Sequence, residues 1–313
     1  VTVLVTGAAG YLGGRLVRHL RRAGVPVRAA VRRPVGWLGG RQVAADLCAA
    51  PLGPLVEGVE AVVHLAAPDE VAAAADPDAA VADTVTATRR LAEAAAEAGV
   101  GRFVYLSTVH VYGAALAPGA VVDETTVPEP RHPYGIAHLA AEHTAAAAFG
   151  DLVVLRLANA VGAPAHPDVT RWTLVANDLC RQAATTGRLV LRTHGMQWRD
   201  FVTVADACRV IAAACDPATL PAGTYNVASG RPLTVRELAG LVADAAEVVC
   251  GTRPPLVAPD PPAEPPGPHH VSAELLAKHG LRATGALREA VVETMRFCAR
   301  AFGCPSPPGS TGT

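Results

Sequence analysis

Short runs of β-branched and aliphatic residues alternate along the first half of the chain with longer stretches whose apolar residues recur every three to four positions. The short runs are Val1–Val5, Val27–Val31, Ala61–Leu65, Phe103–Leu106 and Leu152–Leu157. A brief, continuous apolar run bounded by turn residues fits a strand buried on both faces. The longer stretches, Tyr11–Ala23, Asp83–Ala98 and Tyr134–Phe149, have the period of amphipathic helices, and Gly24 stops the first of them. Strands separated by helices of this length predict an α/β fold built on a doubly wound parallel sheet. After about residue 160 the pattern loosens. Helices are expected over Val175–Thr185, Val204–Ala214 and Val235–Ala246, with short strands near Leu189 and Tyr225. A proline-rich loop, Arg253–Pro268, precedes a last helix, Leu287–Ala301. The expected division is a unit over residues 1–160, a smaller α/β region over 161–300, and a disordered Pro/Gly/Ser tail over 301–313.

Composition narrows the function classes. Half of the 313 residues are apolar, enough for a large buried core as one domain or one domain with a cap. The net charge of −1 makes no electrostatic case for nucleic acid or an anionic membrane. No apolar run reaches the length of about 18 residues that a spanning helix needs. No charged-then-apolar leader is seen, so a cytoplasmic protein is expected. The cysteines (Cys48, Cys180, Cys208, Cys215, Cys250, Cys298, Cys304) form an odd set without CxxC spacing. That suits a reducing compartment and argues against structural zinc, and no metal site is expected.

Between the first strand and the first helix stands Thr6-Gly7-Ala8-Ala9-Gly10-Tyr11-Leu12-Gly13, with glycines spaced GxxGxxG. Glycines alone would fit any turn. Set between a strand and a helix, they let the backbone approach a pyrophosphate while the helix N-terminus supplies N–H groups and a favourable dipole. This predicts a Rossmann-type dinucleotide site at Gly7, Gly10, Tyr11, Leu12 and Gly13. In NAD sites a carboxylate after the second strand holds the ribose 2′-hydroxyl, whereas arginine there accommodates a 2′-phosphate. This chain reads Val31-Arg32-Arg33-Pro34, with two arginines and no carboxylate. NADP(H) is therefore the preferred cofactor and NAD(H) the alternative. Asp46 and Leu47 follow at a spacing suited to a loop over the adenine.

Several further segments in order, His64-Leu65-Ala66-Ala67, Phe103 to Gly113, Tyr134 to Glu142, Arg156 to Gly162, Trp198 to Phe201 and Tyr225 to Gly230, resemble the landmarks of one family. The chain resembles an extended short-chain dehydrogenase/reductase of the NAD-dependent epimerase/dehydratase family, whose branch modifies nucleotide sugars. The match covers nearly all of residues 1–300. It implies hydride transfer between nicotinamide and a carbon bearing oxygen, and it places Leu65, Ala66 and Ala67 beside the cofactor. It implies that Tyr134 exchanges the oxygen's proton, that Thr108, with Ser107 its neighbour, holds the same oxygen, and that residue 138 binds the nicotinamide ribose. The four-residue spacing of 134 and 138 puts both on one helix face.

Residue 138 departs from the family: it is His, not Lys. Lysine is cationic at neutral pH and favours tyrosinate, whereas an unperturbed histidine of pKa about 6.5 is cationic only about a quarter of the time at pH 7. Support for tyrosinate should be weaker and pH-dependent. Alcohol oxidation needs tyrosinate as base; ketone reduction needs only a phenol as acid. His138 therefore biases the chemistry toward reduction.

Family members that dehydrate sugars resemble Thr-Asp-Glu where this chain reads Thr108-Val109-His110, so a dehydratase is disfavoured. His110 is open between a substrate-facing acid/base group and a packed histidine. The resemblance assigns Asn159 to the substrate and Arg199 to its diphosphate, a task suited to a permanent planar charge. Arg192 and Asn177 are weaker candidates of the same kind. The loop from Pro164 to Val175 departs from the family pattern and is expected to shape sugar selectivity. The resulting expectation is a C4 ketoreductase of a nucleotide-linked sugar, with an NAD+-retaining 4-epimerase and a non-catalytic dinucleotide-binding protein as alternatives. A homodimer through the helices near 83–98 and 134–149 is expected from the resemblance alone.

Overall fold

The structure, a computed structural model, describes residues 1–305. Seven parallel strands form the central sheet: β1 (Val3–Val5), β2 (Val27–Val31), β3 (Gln42–Ala44), β4 (Ala61–His64), β5 (Arg102–Thr108), β7 (Leu152–Leu157) and β11 (Gly223–Val227), with β6 (Val121–Val122) and the others outside it. Their order is β11-β7-β5-β4-β1-β2-β3. The chain runs outward from β1 to β3, then crosses back to β4. The strand order thus switches between β1 and β4, where an open parallel sheet leaves a crevice at its carboxyl ends.

Each predicted strand of the first half is present within a few residues. Alternation explains the two cores: Val3 and Val5 of β1 pack on one face and Leu4 on the other. Helices α1 (Tyr11–Arg22) and α7 (Val204–Ala214) cover the first face; α4 (Pro77–Glu97) and α5 (Pro133–Ala148) cover the second. Between β3 and α4 lie the short helices α2 (Gly53–Val56) and α3 (Glu70–Ala75). Helix α4 begins six residues before the expected Asp83, because Asp76 caps it by accepting from the Ala79 N–H at 3.1 Å and Pro77 fits its first turn.

The boundary drawn at residue 160 is crossed by the chain. Both β11 and α7 come from the second half yet complete the first unit's sheet and core. A second core joins α6 (Val175–Thr186), α8 (Val235–Cys250) and α10 (Leu287–Phe302). Against it lies a small sheet in which β10 (Trp198–Thr203) pairs with β8 (Asn159–Val161) in parallel and with β12 (Pro232–Thr234) antiparallel.

Two expectations from the second half are corrected. Helix α10 extends to Phe302, and Cys304 is bonded to Cys250, so residues 301–304 are not part of the disordered tail expected there. Residues 306–313 lie outside the described residues. The disulfide joins cysteines 54 residues apart, which spacing alone did not reveal, and it stands against the expectation that the odd cysteine set suits a reducing compartment. The other five remain free thiols. No helix among the described residues is long and apolar enough to cross a membrane.

Candidate active site

The site lies where the ends of β1, β4 and β5 meet the start of α5. Gly7 has φ of +63°. A Cβ there would stand 3.0 Å from the Ala66 nitrogen, so the β1 and β4 loops touch through a glycine. A Cβ on Gly13 would stand 2.1 Å from the Gly7 carbonyl oxygen. Helix α1 has Gly10 as N-cap, with no side-chain cap and no acidic residue in its first turn. Its first N–H groups, at Tyr11, Leu12 and Gly13, therefore have no capping side chain, and the cradle fits a dinucleotide pyrophosphate.

Thr6 ties the two loops together: its hydroxyl oxygen accepts from the Leu65 and Ala66 N–H groups at 3.1 and 3.3 Å. Arg32 and Arg33, just beyond β2, are exposed and make no ion pair among the described residues, which suits a phosphate partner. Asp46 is also exposed and accepts from the Cys48 N–H at 2.9 Å, so its carboxylate shapes the turn that carries Leu47. The Tyr11 hydroxyl donates to the Gly162 carbonyl at 2.6 Å, linking the glycine loop to the second half of the chain.

Helix α5 is seated by close approach. A Cβ on Gly135 would stand 2.7 Å from the His110 carbonyl oxygen, so glycine lets the helix start lie against the turn after β5. That places Tyr134 beside the end of β5, where the Thr108 hydroxyl acts to lower its pKa. Ser107, one residue back, turns to the opposite face of the strand and donates to Glu142 at 2.5 Å. Glu142 is also gripped by Arg156, at 3.1 and 2.7 Å. The strand's alternation thus assigns Thr108 to the cleft and Ser107 to a buried ion-pair network.

The His138 ring meets Tyr134 edge to face, with centroids 4.5 Å apart. It is 4% exposed. Its Nδ1 is 2.8 Å from the Tyr105 hydroxyl, and its Nε2 is buried with no partner. Burial, reinforced by His64 and His110, lowers its pKa to about 3. His138 is therefore neutral throughout the physiological range, which corrects the expected partial charge and its pH dependence near neutrality. Burial and the Glu70 carboxylate raise the Tyr134 pKa to about 12, against the opposing effect of Arg171. The tyrosine holds its proton firmly.

Arg171 is the feature that sequence reading missed. It comes from the 164–175 loop and reaches across the cleft to the start of α3. It donates to Asp69 at 2.9 Å and pairs with Glu70. These partners are more than 100 residues apart in sequence, and no motif signals them. Asn177, a candidate substrate residue by position, instead donates to the Arg171 carbonyl at 3.1 Å and braces that loop. Trp37 stacks on His166 at 5.4 Å, holding the loop's other end.

On the substrate side, Asn159 and Arg199 lie on the neighbouring strands β8 and β10. The Asn159 amide donates to the Asp200 carbonyl at 3.0 Å, and Arg199 donates to the Trp198 carbonyl at 2.8 Å. His110 stands 6.0 Å from Tyr134. Loss of solvent and the Arg199 charge hold it below the usual histidine range. Among the described residues there is no group of three or more His, Cys, Asp and Glu side chains arranged to hold a metal.

Comparison with known proteins gives the family and the fold. Residues 3–228 match the NAD dependent epimerase/dehydratase family. A protein of Bacillus subtilis, described as an uncharacterized UDP-glucose epimerase (YtcB), is 28% identical over 77% of this chain and 81% of its own length. The GDP-6-deoxy-D-mannose reductase of Pseudomonas aeruginosa is 30% identical over 79% of this chain and 80% of its own. Among solved structures, MoeE5 in complex with UDP-glucose and NAD superposes with a TM-score of 0.80 at 28% identity, covering 96% of this chain and 99% of that one.

Proposed function

The chain belongs to the NAD-dependent epimerase/dehydratase family, and within it we propose that it is an NADP(H)-dependent reductase of a nucleotide-linked keto-sugar, acting at C4. The observation that carries this reading is the buried His138 ring packed edge to face on Tyr134, centroids 4.5 Å apart, where a cation would otherwise stand. A site that keeps its phenol protonated is poised to give a proton, not to take one.

A bound nicotinamide nucleotide would supply the hydride that reduces the C4 carbonyl. Tyr134 gives its proton to the carbonyl oxygen, and the Thr108 hydroxyl positions that oxygen. His138 orients the ribose. Gly7, Gly10 and Gly13 admit the pyrophosphate, and Arg32 and Arg33 support a 2′-phosphate and hence NADP(H). Arg199 holds the substrate diphosphate and Asn159 borders the sugar. His110 has no carboxylate beside it at Val109, which weighs against water elimination. The family resemblance supports a homodimer through α4 and α5.

A 4-epimerase with resident NAD+ is the second reading, favoured by the NAD-bound structure at 28% identity. The test is turnover of a nucleotide-linked 4-keto sugar with NADPH. Stoichiometric NADPH oxidation and an alcohol product support the reductase. Interconversion of C4 epimers with no net cofactor consumption supports the epimerase.

A further inference from the structure

Tyr105 precedes Thr108 on β5, and its ring is 1% exposed. Its hydroxyl lies 2.8 Å from His138 Nδ1. That separation is at the mode for an O–H donor and toward the short end of the N–H donor range. A phenol is also a stronger acid than a neutral imidazole N–H and so the better donor of the two, which favours Tyr105 donating to Nδ1. The neighbouring hydroxyl, Thr88, donates its own proton to the Thr84 carbonyl at 2.7 Å and faces His64 Nε2 at 3.2 Å. That engages one of its two lone pairs. Of the acceptors near the Tyr105 hydroxyl, His138 Nδ1 is the one with no other partner, and it lies at hydrogen-bond distance.

With Nδ1 accepting, a neutral imidazole carries its proton on Nε2. That nitrogen is buried and unpartnered. The ring that carries it packs edge to face on Tyr134. A buried N–H without an acceptor is costly, so such a group asks for a ligand oxygen.

We propose that Tyr105 is a positioning residue that fixes His138 as the Nε2–H tautomer, a neutral donor for a hydroxyl oxygen of the nicotinamide ribose. The assignment of the acceptor rests on the cofactor reading above; the tautomer does not. The pair supplies one of the two services of a lysine at this position, a hydrogen bond to the ribose. It omits the other, a positive charge beside the tyrosine. The orientation that a long flexible ammonium finds for itself is here set by a second ring behind the first.

The test uses the full chain without cofactor, labelled with 15N-histidine. Two-bond 1H–15N correlation spectra report which ring nitrogen carries the proton. Loss of signals in His138→Gln identifies residue 138 among the 11 histidines. The expected result is protonation at Nε2. In Tyr105→Phe the ring should become a mixture of tautomers, and the Kd for NADPH should rise by the inverse of the Nε2–H fraction that remains, about twofold for an even mixture. In a His138→Lys background the same Tyr105→Phe change should leave that Kd unaltered. Protonation at Nδ1 in the wild-type chain overturns the proposal, and this measurement needs no variant to fold. An unchanged tautomer in Tyr105→Phe overturns it too. A ring pinned at Nε2–H in a chain that binds neither NADPH nor NADH overturns the ribose assignment together with the cofactor reading, and so separates that failure from the first.

Discussion

Tyr134 and His138 meet edge to face, 4.5 Å between ring centroids, on one face of α5. Where a cation would draw the phenol toward tyrosinate, a neutral ring stands. The carboxylate of Glu70 acts in the opposite sense, and burial adds to it. Both effects favour the acid form of Tyr134.

The direction of reaction should therefore depend on pH in a specific way. With Tyr134 raised to about 12, the tyrosinate fraction grows about tenfold per pH unit across the neutral and alkaline range. Alcohol oxidation, followed as kcat/KM between pH 7 and 10, should rise with that slope, while ketone reduction stays nearly flat. His138→Lys should raise oxidation at pH 8 by about tenfold or more, since one unit of tyrosine pKa is a factor of ten. No gain would count against the role given to residue 138.

The bridge across the cleft should tune the same tyrosine. Glu70 raises its pKa and Arg171 lowers it. Glu70→Gln should move the oxidation profile toward lower pH, and Arg171→Gln should move it higher. Equal profiles in both variants would show that the bridge acts only on loop position.

Gly13→Ala should disable nucleotide binding. Its Cβ would stand 2.1 Å from the Gly7 carbonyl oxygen, a backbone atom that cannot step aside. Overpacking of this kind costs on the order of 1–3 kcal/mol. A lowered melting temperature with NADPH affinity lost is expected; wild-type binding would contradict the cradle.

Acid should weaken the fold through its buried histidines. Burial lowers His64 to about 4 and His138 to about 3, well below the unfolded value. The unfolded chain therefore binds more protons as pH falls from about 6.5. The stability is fully present above that pH and is lost down to the folded values, by about 1.4 kcal/mol per pH unit for each ring. Urea midpoints measured from pH 7 to 4 should fall, and less steeply in His138→Gln.

Much of this arrangement was legible from local pattern. The glycine loop, the five buried runs and the four-residue step from Tyr134 to His138 are local signals, and the structure realises them. Glu142 lies in the same helical stretch, but its partners Ser107 and Arg156 come from separate strands, so its role needed the fold. Arg171 and Asp69 are joined only by the folded cleft. The charge state of His138 was misjudged because it depends on burial, which residue type does not carry. β11 looked like part of a second unit because chain order says nothing of which sheet edge a late strand will join.

The most direct test of the central claim is to purify the protein, denature it, and identify any nicotinamide nucleotide released. A reductase with exchanging cofactor predicts little bound nucleotide, and an empty protein that binds NADPH more tightly than NADH. One NAD+ released per chain would contradict that account and mark the protein as an epimerase that keeps its cofactor.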